Sequence, residues 1–514
     1  MCKVEHIFAT AVLMAAVFVS ASLARPGDLD TSFGTGGKVT TSIDGRYIWV
    51  TSAAIQTDDR IVLAGTTSDG DARDLYIVRY NRDGSLDNTF GRDGKVFTDI
   101  DVRDSAGAIA IQTDGKIVVS GAVSDGTNGD FAMVRYNIDG TLDTSFGNNG
   151  KVTTDLGQAN DYAGSAAIQP DGKIILAGIS SDANGGSTVS VIVRYNSDGS
   201  LDTSFGTGGK VHAGASVLND VVLQPDGKLV TVGSVCSGVC TTYFTGGYDF
   251  AVARYNSDGL LDPTFGTNGK VAINFGDDEE GRSVALQSDG KIVVAGGVID
   301  NLDWVDTFMV ARLNPNGSLD TSFGSGGRVI DHSLSMPYVQ SVAIQQNGKI
   351  VVGGSYFSSR SFSIARLDTN GSLDSSFNNG GVVMTQFGGW NGIRKIALQL
   401  DGQIVAAGFA GLGGDRYDAA VARYNGDAVL PNVSVSGRVL TPDGRGLRNA
   451  AVSITDSLGV VRTAGTSAFG YYTFDNVRQG EIYSIAVTTR SYRFVPKTLQ
   501  VNDNLVDVNF VGLE

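Results

Sequence analysis

Residues with catalytic chemistry are few in this sequence. After the first 24 residues the chain has two histidines, His212 and His332, and neither has a second histidine at metal-ligand spacing. The chain has no Gly-x-Ser-x-Gly motif, and its glycine-rich strings lack the Gly-Lys-Ser/Thr ending of a phosphate-binding loop. Acidic residues are abundant, so a carboxylate pair for sugar chemistry stays open, but nothing singles out one pair. We expect no catalytic residue, no metal and no cofactor.

The side chains that suit ligand binding are aromatic. All three tryptophans and several tyrosines lie in segments rich in Asp and Asn, and aromatic rings beside carboxylates suit sugars or peptide segments. The candidate binding residues are Tyr47, Trp49, Tyr162, Trp304, Tyr338 and Trp390. The alternative is that each ring only fills the loop in which it lies.

One motif overlaps the middle of a calcium-binding EF-hand loop. It reads Asn196-x-Asp198-Gly199-x-x-Asp202, and similar strings begin at three other asparagines. The loop also requires an acidic first ligand and a bidentate Glu at its twelfth position, where this chain has Arg194 and Phe205. We interpret these strings as Asx and glycine turns, with calcium as the alternative.

A repeat positions all of these residues. The string Leu-Asp-x-Ser/Thr-Phe occurs seven times at intervals of 54 to 60 residues, beginning at Leu29, Leu86, Leu142, Leu201, Leu261, Leu319 and Leu373. In the second unit, four runs rich in Val, Ile and aromatic residues occupy positions 94–97, 108–112, 116–120 and 131–136. Turn residues separate the runs, and Asp114-Gly115 is a two-residue hairpin signal. Each unit is therefore expected to form four antiparallel strands.

Seven units of four strands predict an all-β fold, a seven-bladed β-propeller. The last unit lacks its outer strand, and residues 33–41 at the start of the chain have the sequence that is missing. We expect this N-terminal strand to close the ring as the outer strand of the last blade, which leaves no open sheet edge.

An arginine and an aspartate also recur in every unit. The arginine ends the fourth run and the aspartate follows the leucine of the repeated string, for example Arg79 and Asp87. A residue that is repeated in all blades is expected to serve the blade, so we predict Arg–Asp pairs. A ring of ligand-binding arginines is the alternative.

The connections between runs differ in how much they vary. The connections between the second and third runs, and between the fourth run and the first run of the next unit, are uniform. The other two kinds of connection vary freely and carry the six candidate aromatic residues. In a blade, alternate connections emerge on the same face, so the variable loops are expected to share one face of the ring.

The first 24 residues read as a secretory signal peptide. Lys3 precedes an apolar stretch, residues 7–19, and Ser22-Leu23-Ala24 fits a cleavage site, with a retained anchor as the alternative. Residues 25–428 would form the propeller, secreted or at the cell surface. In that oxidising compartment Cys236 and Cys240 are expected to form a disulfide, although two free thiols stay open. The net charge of −15 argues against nucleic acid or an anionic membrane as a partner. No later stretch approaches a transmembrane length, so no membrane insertion of the mature chain is expected.

A second domain is predicted after a short linker. From residue 433 to residue 514 the repeat stops, and short alternating runs separated by turns such as Pro442-Asp443-Gly444 predict a small β-sandwich.

Both regions resemble known families. The Leu-Asp-x-Ser-Phe-Gly, Ala-Ile-Gln-x-Asp-Gly-Lys-Ile-Val and Val-Ala-Arg-Tyr-Asn strings of residues 29–425 resemble the bacterial delta-sixty repeat, a β-propeller repeat of exported proteins. Residues 433–511, with Ser436-Gly437-Arg438-Val439 and Gly470-Tyr471-Tyr472-Thr473-Phe474, resemble a carboxypeptidase regulatory-like domain. That resemblance implies a transthyretin-like sandwich with a carbohydrate-binding-like fold. Neither resemblance implies a catalytic residue.

The sequence therefore favours an exported, non-enzymatic binding or scaffold protein. Its variable loop face would recognise an extracellular glycan or protein, and the sandwich would serve as a spacer or a carbohydrate-binding-like module. The first alternative is a propeller enzyme, a hydrolase or lyase, acting on extracellular polysaccharide. The second is a purely structural envelope component.

Overall fold

The structure of the chain is a computed structural model. It describes residues 25–513 except 44, 70–71, 127, 183–187, 214–216, 238–246, 277, 299–307, 332–337, 357–360, 379, 412–415, 428–431, 456–460, 479–481 and 502. The chain forms two compact units, Met1–Asp427 and Ala428–Glu514. The predicted signal segment, residues 1–24, lies outside the described residues.

Every regular element that the structure describes in the first unit is a β-strand. The bounds are β1 (Lys38–Thr41), β2 (Tyr47–Ile55), β3 (Ile61–Asp69), β4 (Ala72–Tyr80), β5 (Lys95–Thr98), β6 (Arg103–Ile111), β7 (Ile117–Ser124), β8 (Gly129–Tyr136), β9 (Lys151–Thr154), β10 (Asn160–Ile168), β11 (Ile174–Ser181), β12 (Thr188–Tyr195), β13 (Lys210–Ala213), β14 (Val217–Leu223), β15 (Leu229–Cys236), β16 (Tyr248–Tyr255), β17 (Lys270–Ile273), β18 (Glu279–Leu286), β19 (Ile292–Val298), β20 (Phe308–Leu313), β21 (Arg328–Asp331), β22 (Tyr338–Ile344), β23 (Ile350–Tyr356), β24 (Ser361–Leu367), β25 (Val382–Thr385), β26 (Asn391–Leu398), β27 (Ile404–Gly411) and β28 (Tyr417–Tyr424).

These 28 described strands pair into seven antiparallel four-stranded sets, which we number as blades 1 to 7. Blades 1 to 6 are β2–β5, β6–β9, β10–β13, β14–β17, β18–β21 and β22–β25, and blade 7 is β26, β27 and β28 with β1 as its outer strand. The predicted all-β propeller fold is confirmed, and the register of Lys38–Thr41 against Ala419–Ala422 confirms that the N-terminal strand completes the last blade. The ring is closed because the start of the chain pairs with its last blade.

The core lies between the blades. Seven apolar clusters each combine side chains of two consecutive blades, and one of them joins blade 7 to blade 1 through residues such as Val405, Val421, Ile61 and Tyr80. The middle strands of a blade are buried on both faces. For that reason they read as continuous apolar runs such as Ile61–Ala64 rather than as an alternating pattern.

The repeated arginines pair with the repeated aspartates, as predicted. The pairs are Arg79–Asp87, Arg135–Asp143, Arg194–Asp202, Arg254–Asp262, Arg312–Asp320, Arg366–Asp374 and Arg423–Asp30. Each guanidinium also lies 4.1 to 4.8 Å from the ring centroid of the phenylalanine in the same repeated string. Six of the seven donate to a backbone carbonyl of the next blade, and Arg366 instead pairs with Asp427. The arginines therefore fasten each blade to its neighbour.

The Asn-x-Asp-Gly strings are turns whose polar groups bond within the turn. Asp198 Oδ1 accepts hydrogen bonds from the Ser200 amide at 2.9 Å and from the Ser200 hydroxyl at 2.7 Å. Gly199 has a φ of +91°, a backbone conformation that L side chains rarely adopt. The predicted Asx and glycine turns are confirmed.

The second unit is a two-layer sandwich. Its described strands are β29 (Asn432–Leu440), β30 (Ala451–Thr455), β31 (Val461–Gly465), β32 (Tyr471–Arg478), β33 (Ile482–Thr488), β34 (Lys497–Gln500) and β35 (Phe510–Val511). One sheet has the order β32-β29-β35 and the other β31-β30-β33-β34. Val435, Val452, Tyr472, Ile485 and Phe510 pack in the core of this unit. The predicted small sandwich is confirmed.

The described part of the chain contains no helix with the length and hydrophobicity needed to cross a membrane.

Candidate functional site

The seven inner strands β2, β6, β10, β14, β18, β22 and β26 surround a cavity of about 940 Å³ on the axis of the ring. We call this cavity the channel. Its size is at the upper end of the range for small-molecule sites. All seven inner strands begin on the side of the variable loops, because the blades are antiparallel and follow one another around the ring.

A β-bulge in each inner strand sets which side chains line the channel. The pairing of each inner strand with the second strand of its blade skips one residue, and these residues are Thr51, Gly107, Gly164, Asn219, Arg282, Gln340 and Arg394. All seven line the channel, and we call them the bulge ring. A bulge locally bends and twists a strand, so it can re-aim a side chain that regular pairing would place elsewhere.

The bulge ring has a constant position and a variable composition. Each member lies five residues before the glutamine that is repeated in all seven units, as Thr51 does before Gln56 and Arg394 before Gln399. The glutamine, the arginine, the aspartate and the phenylalanine of the repeat are the same in every blade, whereas the bulge residue takes five different identities. Variation at a fixed structural position is typical of a recognition surface on a rigid scaffold.

The composition of the bulge ring is also asymmetric. Arg282, Gln340 and Arg394 belong to the consecutive blades 5, 6 and 7, and Gly107 and Gly164 belong to blades 2 and 3. In a ring of seven, blades 2 and 3 lie opposite blade 6. The channel therefore has long polar side chains on one wall and open space on the opposite wall.

One channel arginine is paired. Arg282 Nη2 lies 2.6 Å from Glu280 Oε2, and Glu280 Oε1 accepts a hydrogen bond from Asn219 Nδ2 at 2.7 Å. The Asn219 side chain also donates to the Gly281 carbonyl at 2.9 Å. These contacts join blades 4 and 5 at the channel wall.

Two further channel cations have no anionic partner in the part of the chain that the structure describes. Arg394 and Lys395 line the channel side by side, and neither side chain makes an ion pair or a hydrogen bond with any described residue. The Arg394 guanidinium lies 5.3 Å from the centroid of the Phe409 ring. Arg394 is exposed, but desolvation by the surrounding protein lowers its pKa, and the positive charge of Arg282 lowers it further. This wall of the channel thus concentrates positive charge.

The described channel-lining residues include one carboxylate, Asp220, and hydrogen bonds hold it against the wall. Its Oδ1 accepts the Ser165 hydroxyl at 2.7 Å, and its Oδ2 accepts the Ser283 hydroxyl at 3.1 Å and the Val284 amide at 3.1 Å. Ser165 belongs to blade 3 and Ser283 to blade 5, so Asp220 joins three consecutive blades. Its contacts indicate a structural role.

Two of the predicted aromatic residues line the channel. Trp49 and Tyr162 both line it, and each lies two residues before the bulge residue of its strand, toward the loop side. Trp49 is 43% exposed, and the Arg73 guanidinium lies 5.9 Å from its ring centroid. The Tyr162 hydroxyl donates to the Ala106 carbonyl at 3.0 Å, and burial raises the pKa of this phenol although Arg394 partly opposes the shift.

The expectation that these aromatic residues lie in loops was wrong for Tyr47, Trp49 and Tyr162. The structure places the first two on β2 and the third on β10, because these inner strands extend through the bulge by several residues on the loop side. Tyr47 is 41% exposed and Trp390 is 37% exposed, and neither lines the channel. Tyr338 was also expected in a loop, but it is the first residue of β22. Its side chain and Trp304 lie outside the described residues. Cys236 is disulfide-bonded, and Cys240 also lies outside the described residues.

A group of three acids lies on the loop side between blades 2 and 3. Carboxylate oxygens of Asp130, Asp155 and Asp161 lie within 4.8 Å of one another, and oxygens of this kind are ligands for hard cations. Burial raises the pKa of Asp161, and the charges of Asp130 and Asp155 add to the effect. Asp161 is held in place by the Ser180 hydroxyl at 2.5 Å and the Leu156 amide at 2.8 Å.

Family models match both units of the chain. Six stretches, residues 56–90, 112–146, 169–205, 224–265, 287–323 and 345–377, match the model described as a domain of unknown function (DUF5122) beta-propeller. The ring is built from DUF5122 β-propeller repeats. Residues 434–511 match the carboxypeptidase regulatory-like domain. Both matches agree with the predicted architecture.

Each DUF5122 match runs from the repeated glutamine of one blade to the phenylalanine of the Leu-Asp string. The seventh such unit is divided between the two ends of the ring. It begins at Gln399, and its Leu-Asp string is supplied by residues 29–33, where Asp30 pairs with Arg423. The division explains why six continuous matches accompany seven blades.

The chain also has low-identity similarity to solved structures. A catalytically inactive variant of virginiamycin B lyase from Staphylococcus aureus is 11% identical, covers 75% of this chain and 98% of its own, and has a TM-score of 0.44. The polysaccharide lyase Uly1 is also 11% identical, with 73% and 89% covered and a TM-score of 0.43. Sqt1 from Chaetomium thermophilum, bound to the N-terminus of ribosomal protein L10, is 12% identical, with 74% and 98% covered and a TM-score of 0.39. No curated protein matches the chain.

Proposed function

We propose that this protein is an exported, non-enzymatic binding protein that holds a glycan chain at the loop-side entrance of the channel. The observation that carries the proposal is that Trp49 and Tyr162, from blades 1 and 3, line the same cavity as the variable bulge ring. An aromatic face with polar groups beside it suits a sugar ring, which has apolar C–H faces and a polar hydroxyl rim.

The make-up of the channel supports binding without catalysis. A glycosidase needs two carboxyl groups that flank the scissile bond. Among the described lining residues the carboxylate is Asp220, whose oxygens accept hydrogen bonds from the serines of neighbouring blades. The alternative of a hydrolase acting on extracellular polysaccharide would require a second carboxyl group at this position, and a lyase would require a base, a role open to the Tyr162 phenol or the Lys395 amine.

Export is supported by two observations. The sequence begins with a predicted signal peptide, and Cys236 is disulfide-bonded, which is typical of proteins in oxidising compartments. In this proposal the sandwich serves as a spacer or as a second sugar-binding module.

The test is a glycan array on residues 25–514, followed by titration of the glycans that bind. The variant Trp49→Ala is expected to weaken binding by about 2 kcal/mol or more, since aromatic anchors dominate such interfaces. Trp390→Ala is the matched control, because this ring is similarly exposed and does not line the channel. Equal loss in both variants, or loss in neither, would contradict the proposed site.

A further inference from the structure

We infer that the ligand of the channel is an acidic saccharide, and that Arg394 and Lys395 bind its carboxylate groups. The inference rests on the proposed function, since it names the chemical class of glycan that the same site takes. It is carried by charge, by the lack of a counter-ion to these two residues among the described side chains, and by the space opposite them.

The charge of the channel is opposite to that of the protein. The whole chain has a net charge of −15, yet the described lining residues include three cations, Arg282, Arg394 and Lys395, and one acid, Asp220. Counting Glu280, which pairs with Arg282, still leaves an excess of positive charge. A narrow cleft lined by one sign of charge focuses the field and attracts ligands of the opposite sign.

The two unpaired cations are placed where a ligand could reach both. Arg394 is the bulge residue of β26, Lys395 follows it, and both residues line the channel. The repeat places Ser283 and Ser341 at the position of Lys395 in blades 5 and 6. These two serines accept hydrogen bonds from the Val342 and Ile396 amides of the following blade, whereas Lys395 cannot accept one. Blade 7 thus replaces a structural hydroxyl with a cation.

The Arg394 guanidinium has no described counter-ion, and a bound anion would supply one. The positive charge of Arg282 lowers the pKa of Arg394, and the Arg394 guanidinium lies 5.3 Å from the centroid of the Phe409 ring. A nearby like charge disfavours the charged form of a group, and a bound anion would favour it. A guanidinium can bind a carboxylate through two parallel hydrogen bonds, which suits a sugar acid.

The opposite wall leaves room for that sugar. Gly107 and Gly164 have no side chain to extend across the channel, and Tyr162 and Trp49 lie on the loop side of this space. A saccharide that enters from the loop side would contact the aromatic rings first and would place a carboxylate against Arg394 and Lys395. This arrangement favours a carboxylated saccharide over an acidic peptide, because the rings and the cations share one cavity.

The experiment is calorimetric titration of residues 25–514 with two probes of equal length, a galacturonate trisaccharide and the neutral galactose trisaccharide. The acidic probe is expected to bind at least roughly tenfold more tightly, and its affinity is expected to fall with added salt. Arg394→Met and Lys395→Met are each expected to reduce the ratio of the affinities for the acidic and the neutral probe by roughly tenfold. Arg92→Met is the matched control, since Arg92 is an exposed arginine outside the channel. Arg394→Met is expected to fold, because it removes no described hydrogen bond or ion pair.

The outcomes separate the two proposals. Equal affinity for both trisaccharides, with sensitivity to Trp49→Ala but not to Arg394→Met, would overturn the acidic ligand and keep the glycan site. If neither trisaccharide bound, thermal unfolding with added sulfate would be measured. A higher midpoint for the parent but not for Arg394→Met would keep the anion site and overturn the glycan as its ligand. Binding of polyglutamate but of neither trisaccharide, lost in Arg394→Met, would overturn the saccharide in favour of an acidic peptide. Absence of all binding would overturn both proposals.

Discussion

Arg423 and Asp30 are 393 residues apart in the sequence, and Arg423 Nη2 lies 2.6 Å from Asp30 Oδ2. The same pair is local in the other six blades, where the two residues are eight positions apart. In blade 7 it joins the two ends of the ring, and the Phe33 ring lies 4.8 Å from the guanidinium. Both partners are largely buried, so the pair is shielded from solvent.

Breaking this pair is expected to destabilise the propeller strongly. Removing one partner of a buried ion pair leaves an uncompensated charge, and the cost is typically about 3–5 kcal/mol. We expect Arg423→Met and Asp30→Asn each to lower the free energy of unfolding of the propeller by an amount near this range, measured by urea denaturation. Arg445→Met in the sandwich, where the Arg445–Asp443 pair is exposed, is the control and is expected to change little. An unchanged midpoint for both propeller variants would show that the closure does not depend on this pair.

Removal of residues 25–41 is expected to open the ring. These residues supply β1, Asp30 and the fully buried Phe33, and Thr41 accepts a hydrogen bond from Tyr80 of blade 1 at 2.8 Å. Truncating a buried Phe alone costs about 3–5 kcal/mol. The truncated protein should be cleaved rapidly by trypsin in the propeller, and a synthetic peptide of residues 25–43 added in trans should restore protection. Full protease resistance without the peptide would refute closure by this segment.

Two glycines of the bulge ring are expected to respond differently to substitution. A Cβ at Gly164 would meet Tyr162 Cε1 at 3.4 Å, an ordinary contact, whereas a Cβ at Gly107 would meet the Ala163 carbonyl oxygen at 2.1 Å. We expect Gly164→Gln to fold with a free energy of unfolding within about 1 kcal/mol of the parent and to block ligand entry.

Gly107→Ala tests the other half of this contrast. It is expected to cost about 1–3 kcal/mol, because the backbone of the next blade must move. Urea denaturation measures both variants, and equal stability of the two would contradict the described packing.

The propeller is expected to lose stability as the pH rises from about 4 to 7, in part through Asp104. Burial raises the pKa of Asp104 to about 7, and the charges of Asp99 and Asp74 add to the effect. The folded state therefore holds this proton more tightly than the unfolded state. The contribution of Asp104 to the free energy of unfolding is complete below its ordinary pKa near 4. It is lost as the pH rises through the pKa of Asp104 in the folded state. The size of the effect is on the order of a few kcal/mol.

Asp104→Asn is expected to flatten the pH dependence in that window, whatever its effect on stability itself. The variant cannot titrate at this position, so chemical denaturation at pH 4, 5.5 and 7 should give a smaller difference than in the parent. Five of the repeated aspartates, from Asp143 to Asp374, have pKa values that are lowered by neighbouring lysines, hydroxyl groups and arginines. These aspartates have the opposite effect on stability, because they make it fall as the pH drops at lower pH. A parent stability that rose from pH 4 to 7 would contradict the prediction for Asp104.

Much of the fold could be read from the repeat. The strings that mark each unit form hydrogen bonds and ion pairs within the unit or with the next one, so their spacing reports local geometry. The missing outer strand of the last unit and its copy at residues 33–41 were enough to predict ring closure. The Arg–Asp pairs followed because a residue that occurs in every blade is expected to serve a contact that every blade makes.

The candidate site was only partly predictable. The sequence indicated Trp49 and Tyr162 as binding residues but placed them in loops, and it did not indicate Arg282, Arg394 or Lys395. A usable signal was present, since the position five residues before each repeated glutamine is constant in place and variable in identity.

The sequence by itself determined the all-β class, the sevenfold repeat and the closure of the ring, because these depend on short-range patterns that recur along the chain. The tertiary structure decided which side chains share the channel. Its wall is made of seven strands that are distant in sequence, and each strand carries a bulge that breaks the alternation from which side-chain direction is read. A positive wall of an acidic protein becomes visible only when Arg282, Arg394 and Lys395 are brought around one axis.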